Sequence, residues 1–227
     1  MRYWWGVALA CVAPAAVAAQ PAASGTFTME QVISYPFVPE LDAAEKGDAI
    51  AFVRVLKGAR NVWVADGPAF KPRQVTQYTA DDGQELTQLT FSPDGKQLLY
   101  VRGGDHDANW EEKREPNPTS SPIEPKVTIW RAQLFGGAPV KVVEGDAPAI
   151  SSRGELAYIA DKQVWTAPLR GKGKPKKLFF DRGDDSALTW SPDGSKLAFV
   201  SERDGDHSFI GVYDLAAKTL TYLAPST

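Results

Sequence analysis

One segment that occurs twice constrains this fold more than any other feature of the chain. The sequence LTFSPDGKQLLYV spans residues 89–101, and LTWSPDGSKLAFV spans residues 188–200. Each copy has the pattern of two β-strands joined by a Ser-Pro-Asp-Gly turn. Proline presets φ for the second position of a type I turn, the aspartate side chain accepts hydrogen bonds from backbone N–H groups, and glycine supplies the positive φ that closes the hairpin. The two copies therefore predict two β-hairpins of the same kind.

Two weaker copies of this hairpin occur elsewhere in the chain. PAISSRGELAYI spans residues 148–159, LDAAEKGDAIAFV spans residues 41–53, and both keep the turn glycine. The four turn glycines, Gly47, Gly95, Gly154 and Gly194, are spaced 48, 59 and 40 residues apart. A period of about 40–50 residues with four short strands per repeat is typical of β-propeller blades. We therefore predict an all-β chain of about four propeller blades, each a four-stranded antiparallel sheet with an SPDG-type turn.

The predicted blades occupy residues 36–227, with approximate bounds of 36–80, 84–145, 146–181 and 184–224. Their third strands share apolar and aromatic residues (VWV, TIW, VWT and GVY). Such alternation buries one face of a strand against the neighbouring blade. We accordingly interpret four tryptophans as packing between blades and not as a ligand platform: Trp63, Trp130, Trp165 and Trp190.

The N-terminal segment predicts export. Residues 1–19 combine Arg2 with an uncharged run that ends in small residues, which is the pattern of a secretory signal peptide. The run is shorter than the about 20 apolar residues of a membrane-spanning helix. Residues 20–35 are predicted as a linker with a short helix, which a capping box of Thr28 and Gln31 begins and Pro36 ends. We expect a periplasmic or secreted protein that has no membrane association after cleavage.

Composition excludes several classes of function. The chain has 25 basic and 28 acidic residues, and this mildly acidic balance gives no reason to expect a nucleic-acid partner. Its single cysteine, Cys11, lies in the predicted signal, so the mature chain has no thiol catalysis, cysteine–metal ligation or disulfide. The basic segment GKGKPKK at residues 171–177 is interpreted as protection of a sheet edge, with nucleic-acid binding as the alternative. We predict no cofactor.

One connection breaks the regularity of the blades. Between the second and third strands of the second blade lies a Pro-rich, charged insertion at residues 103–126. The equivalent connection of the third blade has about three residues. A long insertion of this kind is either a functional loop or a solvated one. Because all connections of this type lie at one end of a propeller, the insertion has a defined face.

Several segments resemble the N-terminal part of secreted peptidases of the prolyl-oligopeptidase family, of the dipeptidyl-aminopeptidase and acylaminoacyl-peptidase type. They are MEQVISYPF, GARNVWVADGP, the run from YTADDGQ through VRGGDHDANW, and WSPDGSKLAFVSERDG. The SPDG turns by themselves are less specific, because Tol-type periplasmic propellers share them. In the peptidase family a larger propeller precedes an α/β-hydrolase domain that carries Ser, Asp and His. The resemblance implies that the four blades form an incomplete or open arc and that the chain ends before the catalytic domain.

No catalytic residues are predicted in this chain. A G-x-S-x-G nucleophile elbow is absent from the sequence, and the two histidines, His106 and His207, fall in predicted blade loops. The chain is therefore expected to be the substrate-gating propeller of such a peptidase, with a peptide or the missing hydrolase domain as its partner. The alternative is a stand-alone periplasmic Tol-like propeller that binds protein or peptide partners.

The insertion supplies the candidate substrate-binding residues. Family members that remove dipeptides hold the substrate's N-terminal ammonium with paired glutamates through charge-assisted hydrogen bonds. The neighbouring Glu111 and Glu112 are candidates for this role, although Lys113 and Arg114 can pair with them in a solvated loop. The full candidate set is Asp105, His106, Trp110, Glu111 and Glu112.

The tripeptide Gly-Asp-His occurs at residues 104–106 and again at residues 205–207. One interpretation is a metal or substrate site formed by Asp105, His106, Asp206 and His207. The other is a pair of polar loops in which Asp and Gly form turns. Blades two and four are not neighbours, so joint ligation would require the insertion to reach across. We predict no metal site.

An open arc leaves the outer faces of the first and last blades uncovered. We expect apolar residues there, such as Phe52, Val64, Phe199 and Tyr213. Large exposed apolar patches are rare on soluble monomers and favour association. Self-association through the open blade faces is therefore an expected property of the chain.

We predict that limited proteolysis cuts the insertion first, at Lys113 and Arg114, because long exposed loops are the preferred sites of nicking. The measurement is the order in which fragments appear under dilute trypsin, identified by mass spectrometry. Earlier cutting within the blade strands would contradict the interpretation of the insertion as an exposed loop.

Overall fold

The computed structural model describes residues 27–104, 126–169, 173–205 and 207–223. Within these ranges one short helix precedes sixteen β-strands, and the strands form four separate antiparallel sheets of four. None of the helical segments in the described part has the length and apolar character needed to cross a bilayer. The four-bladed, all-β prediction is therefore confirmed, and no sheet closes on itself.

Each sheet is a simple meander in which neighbours in sequence are neighbours in space. Blade 1 contains β1 (Phe37–Ala43), β2 (Ala49–Leu56), β3 (Ala59–Asp66) and β4 (Arg73–Gln74). Blade 2 contains β5 (Leu86–Phe91), β6 (Leu98–Arg102), β7 (Thr128–Ala132) and β8 (Val140–Glu144). Blade 3 contains β9 (Asp146–Ile150), β10 (Glu155–Ala160), β11 (Gln163–Pro168) and β12 (Lys176–Lys177). Blade 4 contains β13 (Asp184–Trp190), β14 (Lys196–Arg203), β15 (His207–Asp214) and β16 (Thr219–Leu223).

A short helix, α1 (Met29–Ile33), leads into the first blade. Its capping box is complete, because the Thr28 hydroxyl accepts from the Gln31 N–H and the Gln31 side chain accepts from the Thr28 N–H. These two bonds satisfy backbone donors that a helix start leaves without partners. Thr28 and Gln31 therefore act as the sequence predicted.

The two SPDG turns have the predicted geometry. In blade 2 the Gly95 N–H donates to the Ser92 carbonyl at 2.8 Å, and Asp94 accepts from the Lys96 N–H at 3.0 Å. The Ser92 hydroxyl also bonds Asp94 at 2.6 Å. Gly95 has a φ of 68°, and a Cβ built there would lie 2.4 Å from the Lys46 carbonyl oxygen. Glycine is therefore required by backbone conformation and by contact with the turn of the preceding blade.

Alternation along each central strand sends side chains to two different neighbours. In β6, Leu98 and Tyr100 pack in a core shared with blade 1, whereas Leu99 and Val101 pack in a core shared with blade 3. All four side chains have 0% exposure. A third, smaller core contains Ala157, Val164 and Leu197 and joins blades 3 and 4. The hydrophobic core of the molecule therefore lies between sheets, as three layers in series.

The innermost strands of successive blades are also joined by hydrogen bonds. The Asp42 carboxylate accepts from the Phe91 N–H at 2.9 Å, and the Gln88 side chain accepts from the Ala147 N–H at 2.8 Å. Trp190 Nε1 donates to the Ala149 carbonyl at 3.1 Å. Each hydrogen bond joins the first strand of one blade to the first strand of the following blade. These bonds therefore fix the position of neighbouring blades at the inside of the arc.

The structure corrects the expectation about the two outer faces. Phe52 lies on the open face of blade 1, but Val64, Phe199 and Tyr213 are buried at 0%, 1% and 8% exposure. They face the neighbouring blade because alternation places them on the opposite side of their strands from the open face. Trp63 also differs from expectation. It lies half-buried on the open face of blade 1, where its ring packs under Arg54.

Replacing one interblade leucine should destabilise the whole chain. Leu156 is fully buried between blades 2 and 3, and truncation of a buried leucine costs about 2–5 kcal/mol because a cavity remains. We expect Leu156→Ala to lower the free energy of unfolding in urea by that amount. Phe135, which is 93% exposed, provides the control, and Phe135→Ala should change the free energy by less than about 0.5 kcal/mol. Equal effects of the two changes would contradict the interblade core.

Candidate functional site

One end of the arc carries the turns between second and third strands together with the connections between blades. In an antiparallel meander these segments share an end, and we term it the loop end. At this end each turn lies close to the segment that leads into the next blade. The Asp185 N–H donates to the Lys162 carbonyl at 2.9 Å, and a Cβ on Gly58 would lie 2.1 Å from the Asp81 carboxylate. The insertion begins at this end, directly after β6.

Two aspartates occupy the same position in the repeat at the loop end. Asp82 and Asp181 each lie 13 residues before the turn glycine of their blade, Gly95 and Gly194. Each carboxylate accepts from the backbone N–H two residues later: Asp82 from Gln84 at 3.0 Å and Asp181 from Gly183 at 2.9 Å. This Asx turn orders the connection that enters the blade.

Each of these aspartates then binds an arginine at the end of the second strand. Arg102 pairs with Asp82, and its guanidinium lies 4.6 Å from the centre of the Tyr78 ring. The Tyr78 hydroxyl is 2.8 Å from the hydroxyl of Tyr100. Burial raises the pKa of Tyr100 above its usual range. Tyr100 therefore remains neutral at physiological pH and acts as a hydrogen-bonding group.

The corresponding cluster at Asp181 is larger and more deeply buried. Asp181 is 3% exposed, and it accepts from Arg203 Nη2 at 2.9 Å and from the hydroxyls of Ser201 and Tyr222. Although burial acts in the opposite direction, the hydrogen bonds from Ser201 and Tyr222 hold the pKa of Asp181 well below its usual range. Burial and the bond to Asp181 raise the pKa of Tyr222 to about 12.

A second buried carboxyl, Asp185, lies beside this cluster. It is 5% exposed, and its Oδ2 accepts from the Val164 N–H at 3.3 Å. Its Oδ1 has no hydrogen-bond partner among the described residues. Burial, reinforced by the negative charge of Asp181, raises the pKa of Asp185 to about 7. Below about pH 7 a proton on Asp185 removes the cost of a second buried charge, so that Asp185 is protonated while Asp181 is ionised.

An open cleft of about 700 Å³ adjoins the Asp181 cluster at the loop end of blade 4. Its lining combines charges of both signs with one aromatic ring and a histidine: Arg182, Asp184, Glu202, Arg203, Asp204, Gly205, His207 and Phe209. The arginines suit a carboxylate, and the three acidic residues suit an ammonium group. The cleft therefore has the chemistry to hold both charged ends of a short peptide.

The sequence patterns predict neither this cluster nor the cleft. The residues of the Asp181 cluster come from the connection before blade 4 and from two strands, β14 and β16, and Asp181 and Tyr222 are 41 residues apart. The one local signal of this cluster in the sequence is the segment DRGDD, residues 181–185. Its three acidic residues precede or begin a strand, where buried carboxylates are unfavourable unless they have partners.

The residues that the sequence did select fall outside the described ranges. Asp105, His106, Trp110, Glu111 and Glu112 lie in the insertion, and Asp206 lies between two described segments. Of the two Gly-Asp-His motifs, only the second contributes described residues to the cleft, namely Gly205 and His207. The substrate-binding role of the insertion therefore stays a prediction. Among the described residues no group of three His, Cys, Asp or Glu side chains is arranged to hold a metal ion.

Comparisons with known proteins identify the fold and not the family. No protein-family model and no curated protein matches the chain.

Solved structures that resemble the chain are propellers or contain one. TolB from Acinetobacter baumannii superposes with a TM-score of 0.58 at 18% identity, over 86% of this chain and 44% of that one. A prolyl endopeptidase gives 0.63 at 12% identity, over 87% and 31%. A puromycin-hydrolysing peptidase from Mycobacterium tuberculosis gives 0.58 at 19% identity, over 82% and 30%. The chain thus spans less than half the length of these neighbours, and it shares with them a propeller-type fold.

The buried acid pair predicts how stability depends on pH. The pKa of Asp185 rises from an ordinary value of 3.8 to about 7 on folding, so folding takes up a proton between these values. The free energy of unfolding should fall, by roughly a few kcal/mol, as pH rises from about 4 to 7, and then level off. Asp181 affects stability in the opposite direction. Because its pKa is lowered on folding, its contribution to stability is lost only as pH falls below about 4.

Asp185→Asn tests this assignment, because an amide of the same shape carries no charge. We expect the variant to lose the decline between pH 4 and 7 and to be more stable than the parent at pH 8, measured by urea unfolding. Asp184→Asn is the matched control, since the Asp184 side chain is 55% exposed and pairs with Lys162. An unchanged slope in Asp185→Asn would refute the assignment.

Proposed function

We propose that this chain is the propeller portion of a secreted peptidase of the prolyl-oligopeptidase type. In this role it admits and orients peptides for a separate α/β-hydrolase domain and does not cleave them itself. The observation that carries the proposal is the mixed-charge cleft at the loop end of blade 4. The segments quoted above resemble this family, and two of the structural neighbours are peptidases that contain a propeller of the same kind.

The cleft is suited to a peptide because its lining carries charges of both signs. Arg182 and Arg203 place guanidinium groups at the cleft, and Glu202 and Asp204 place carboxylates there. Arg203 is held in position by Asp181 and lies over the rings of Phe209 and Tyr222 at 5.0 and 4.7 Å. A guanidinium fixed in this way loses little further conformational entropy when a carboxylate binds.

The serine that bonds Asp181 is not suited to be a nucleophile for peptide hydrolysis. Ser201 is the serine nearest to a buried acid, but it is fully buried and its hydroxyl donates to Asp181. A catalytic serine requires an exposed Oγ that donates to a base such as histidine. In this proposal the cleavage chemistry belongs to another domain, and this chain contributes binding and access.

Secretion is part of the proposal and rests on residues 1–19. Their single charge, apolar run and small-residue end match a signal peptide. N-terminal sequencing of protein recovered from the periplasm or medium tests this part independently, and the mature chain should begin near Gln20.

A Tol-like propeller that binds protein partners is the second candidate. It is favoured by the neighbour TolB, which this chain matches over 86% of its length. A groove of about 580 Å³ between blades 2 and 3, at the end opposite the loop end, provides a surface of this kind. Its lining includes Phe135, which is 93% exposed, and Leu134.

Peptide binding separates the two candidates. The full chain should bind a short unstructured peptide with a free N-terminus more tightly than the same peptide with an acetylated N-terminus, measured by isothermal titration calorimetry. Glu202→Gln/Asp204→Asn should weaken binding of the free peptide by about fivefold, as expected for a partly exposed ion pair, and leave the acetylated peptide unaffected. Glu111→Gln/Glu112→Gln should have the same effect if the insertion contributes.

The control is Glu45→Gln, an exposed acid in a turn at the opposite end, which should bind both peptides as the parent does. Equal affinity of the parent for the free and acetylated peptides would refute the peptidase proposal. Binding that is instead lost on Phe135→Ala would favour the Tol-like candidate.

A further inference from the structure

The arc ends in two sheet faces that no blade of the described chain covers. On the open face of blade 1, Leu41, Phe52 and Trp63 form one cross-strand row, since they are paired in register. Leu41 is 66% exposed. On the open face of blade 4, Val200, Ile210 and Leu223 form a similar row, with Ile210 and Leu223 about half exposed.

The row on blade 1 repeats the residues that blades 2 and 3 use to contact the preceding blade. Phe52 lies five residues after its turn glycine, as do Tyr100 and Phe199, and Tyr158 lies four after its own. Across the next strand the partner of Phe52 is Trp63, as Trp130 is of Tyr100 and Trp165 is of Tyr158.

These equivalent pairs are all engaged with a preceding blade. Tyr100 and Trp130 pack in the core shared with blade 1, and Tyr158 and Trp165 pack in the core shared with blade 2. Phe52 and Trp63 therefore form the aromatic half of an interblade interface, for which the described chain provides no preceding blade.

Blade 4 presents the other half. Its open face carries Ala198, Val200 and Val212, in register across β14 and β15 with the apolar row. The equivalent residues Ala51 and Val53 of blade 1 are fully buried in the core that receives Tyr100. Small and β-branched side chains thus form the surface into which the aromatic pair of the next blade packs.

The charges beside the two open faces are also complementary. On blade 1, Arg54 lies two residues from Phe52 toward the loop end, over the Trp63 ring. On blade 4, Glu202 lies two residues from Val200 toward the same end. When the two faces meet in the geometry of the internal interfaces, Arg54 and Glu202 are at the same level with opposite charge.

We propose that the occupant of these faces is a second copy of this chain, bound head to tail. Blade 4 of each copy packs against blade 1 of the other and recreates the interface that already occurs three times within the chain. Two such contacts close a ring of eight blades, which lies within the usual range of about four to eight for propellers. This inference goes beyond the proposed function. Glu202 also lines the cleft, so the test of the inference measures association and not peptide binding.

Two variants with one blocked face each test the head-to-tail arrangement. Leu41→Glu places a charge on the blade 1 face and Ile210→Glu places one on the blade 4 face. Both replaced residues are exposed within the chain, so the fold should persist, as thermal unfolding will verify. In sedimentation equilibrium the parent should have twice the mass of one chain, and each variant alone should dissociate at least about tenfold more readily because a charge is buried at the contact.

Mixing the two variants is the decisive measurement. Each still has one intact face, and the intact faces are complementary, so a one-to-one mixture should form a heterodimer through a single contact. Phe135→Glu, which changes an exposed residue on neither face, should remain dimeric. A monomeric parent, a dimeric Ile210→Glu variant, or a mixture that stays monomeric would each overturn the proposal.

Discussion

The packing of one sheet against the next is the interaction on which the rest of this structure depends. A four-stranded antiparallel sheet with apolar residues on both faces has no stable form alone, because neither face can be left in water. Blade 2 illustrates this: Leu98 and Tyr100 are buried only because blade 1 covers them, and Leu99 and Val101 only because blade 3 does. Each core is therefore formed by two neighbouring blades. The stability of the arc is then approximately the sum of the contributions of its blades and of their interfaces, as in repeat proteins.

Polar contacts set the order and spacing of these layers. At the inside of the arc, Asp42 and Gln88 reach from one first strand to the backbone of the next. At the loop end, Asp82 and Asp181 order the connections that enter blades 2 and 4 and bind Arg102 and Arg203. These bonds matter more because the groups are buried. Leaving a buried carboxylate without a partner costs more free energy than a typical hydrogen bond contributes to stability.

The Asp181 cluster links this architecture to the candidate site. Arg203 bonds to Asp181 and also lines the mixed-charge cleft with Glu202 and His207. Asp181, which orders the connection into blade 4, thus also orients Arg203 in the cleft. Asp185 adds a buried acid whose pKa is raised to about 7, since burial and Asp181 both oppose a second negative charge. Such a concentration of perturbed groups beside a cleft is typical of functional sites.

The sequence by itself determined the local structure of this protein. The SPDG repeats identified the turns, and their spacing predicted the four sheets of four strands that the structure contains. These features depend on neighbouring residues, because a turn residue or a period-2 pattern acts through the backbone beside it.

Tertiary structure decided which side of each strand meets which neighbour. Alternation shows that Val64 and Trp63 lie on opposite faces, but only the packed arc shows that Val64 is covered and Trp63 is on an open face. The same limit applies to the buried acids. Asp181 meets Ser201 and Tyr222, which are 20 and 41 residues further along the chain. Contacts of this range depend on the stacking of whole blades, and no local pattern encodes them.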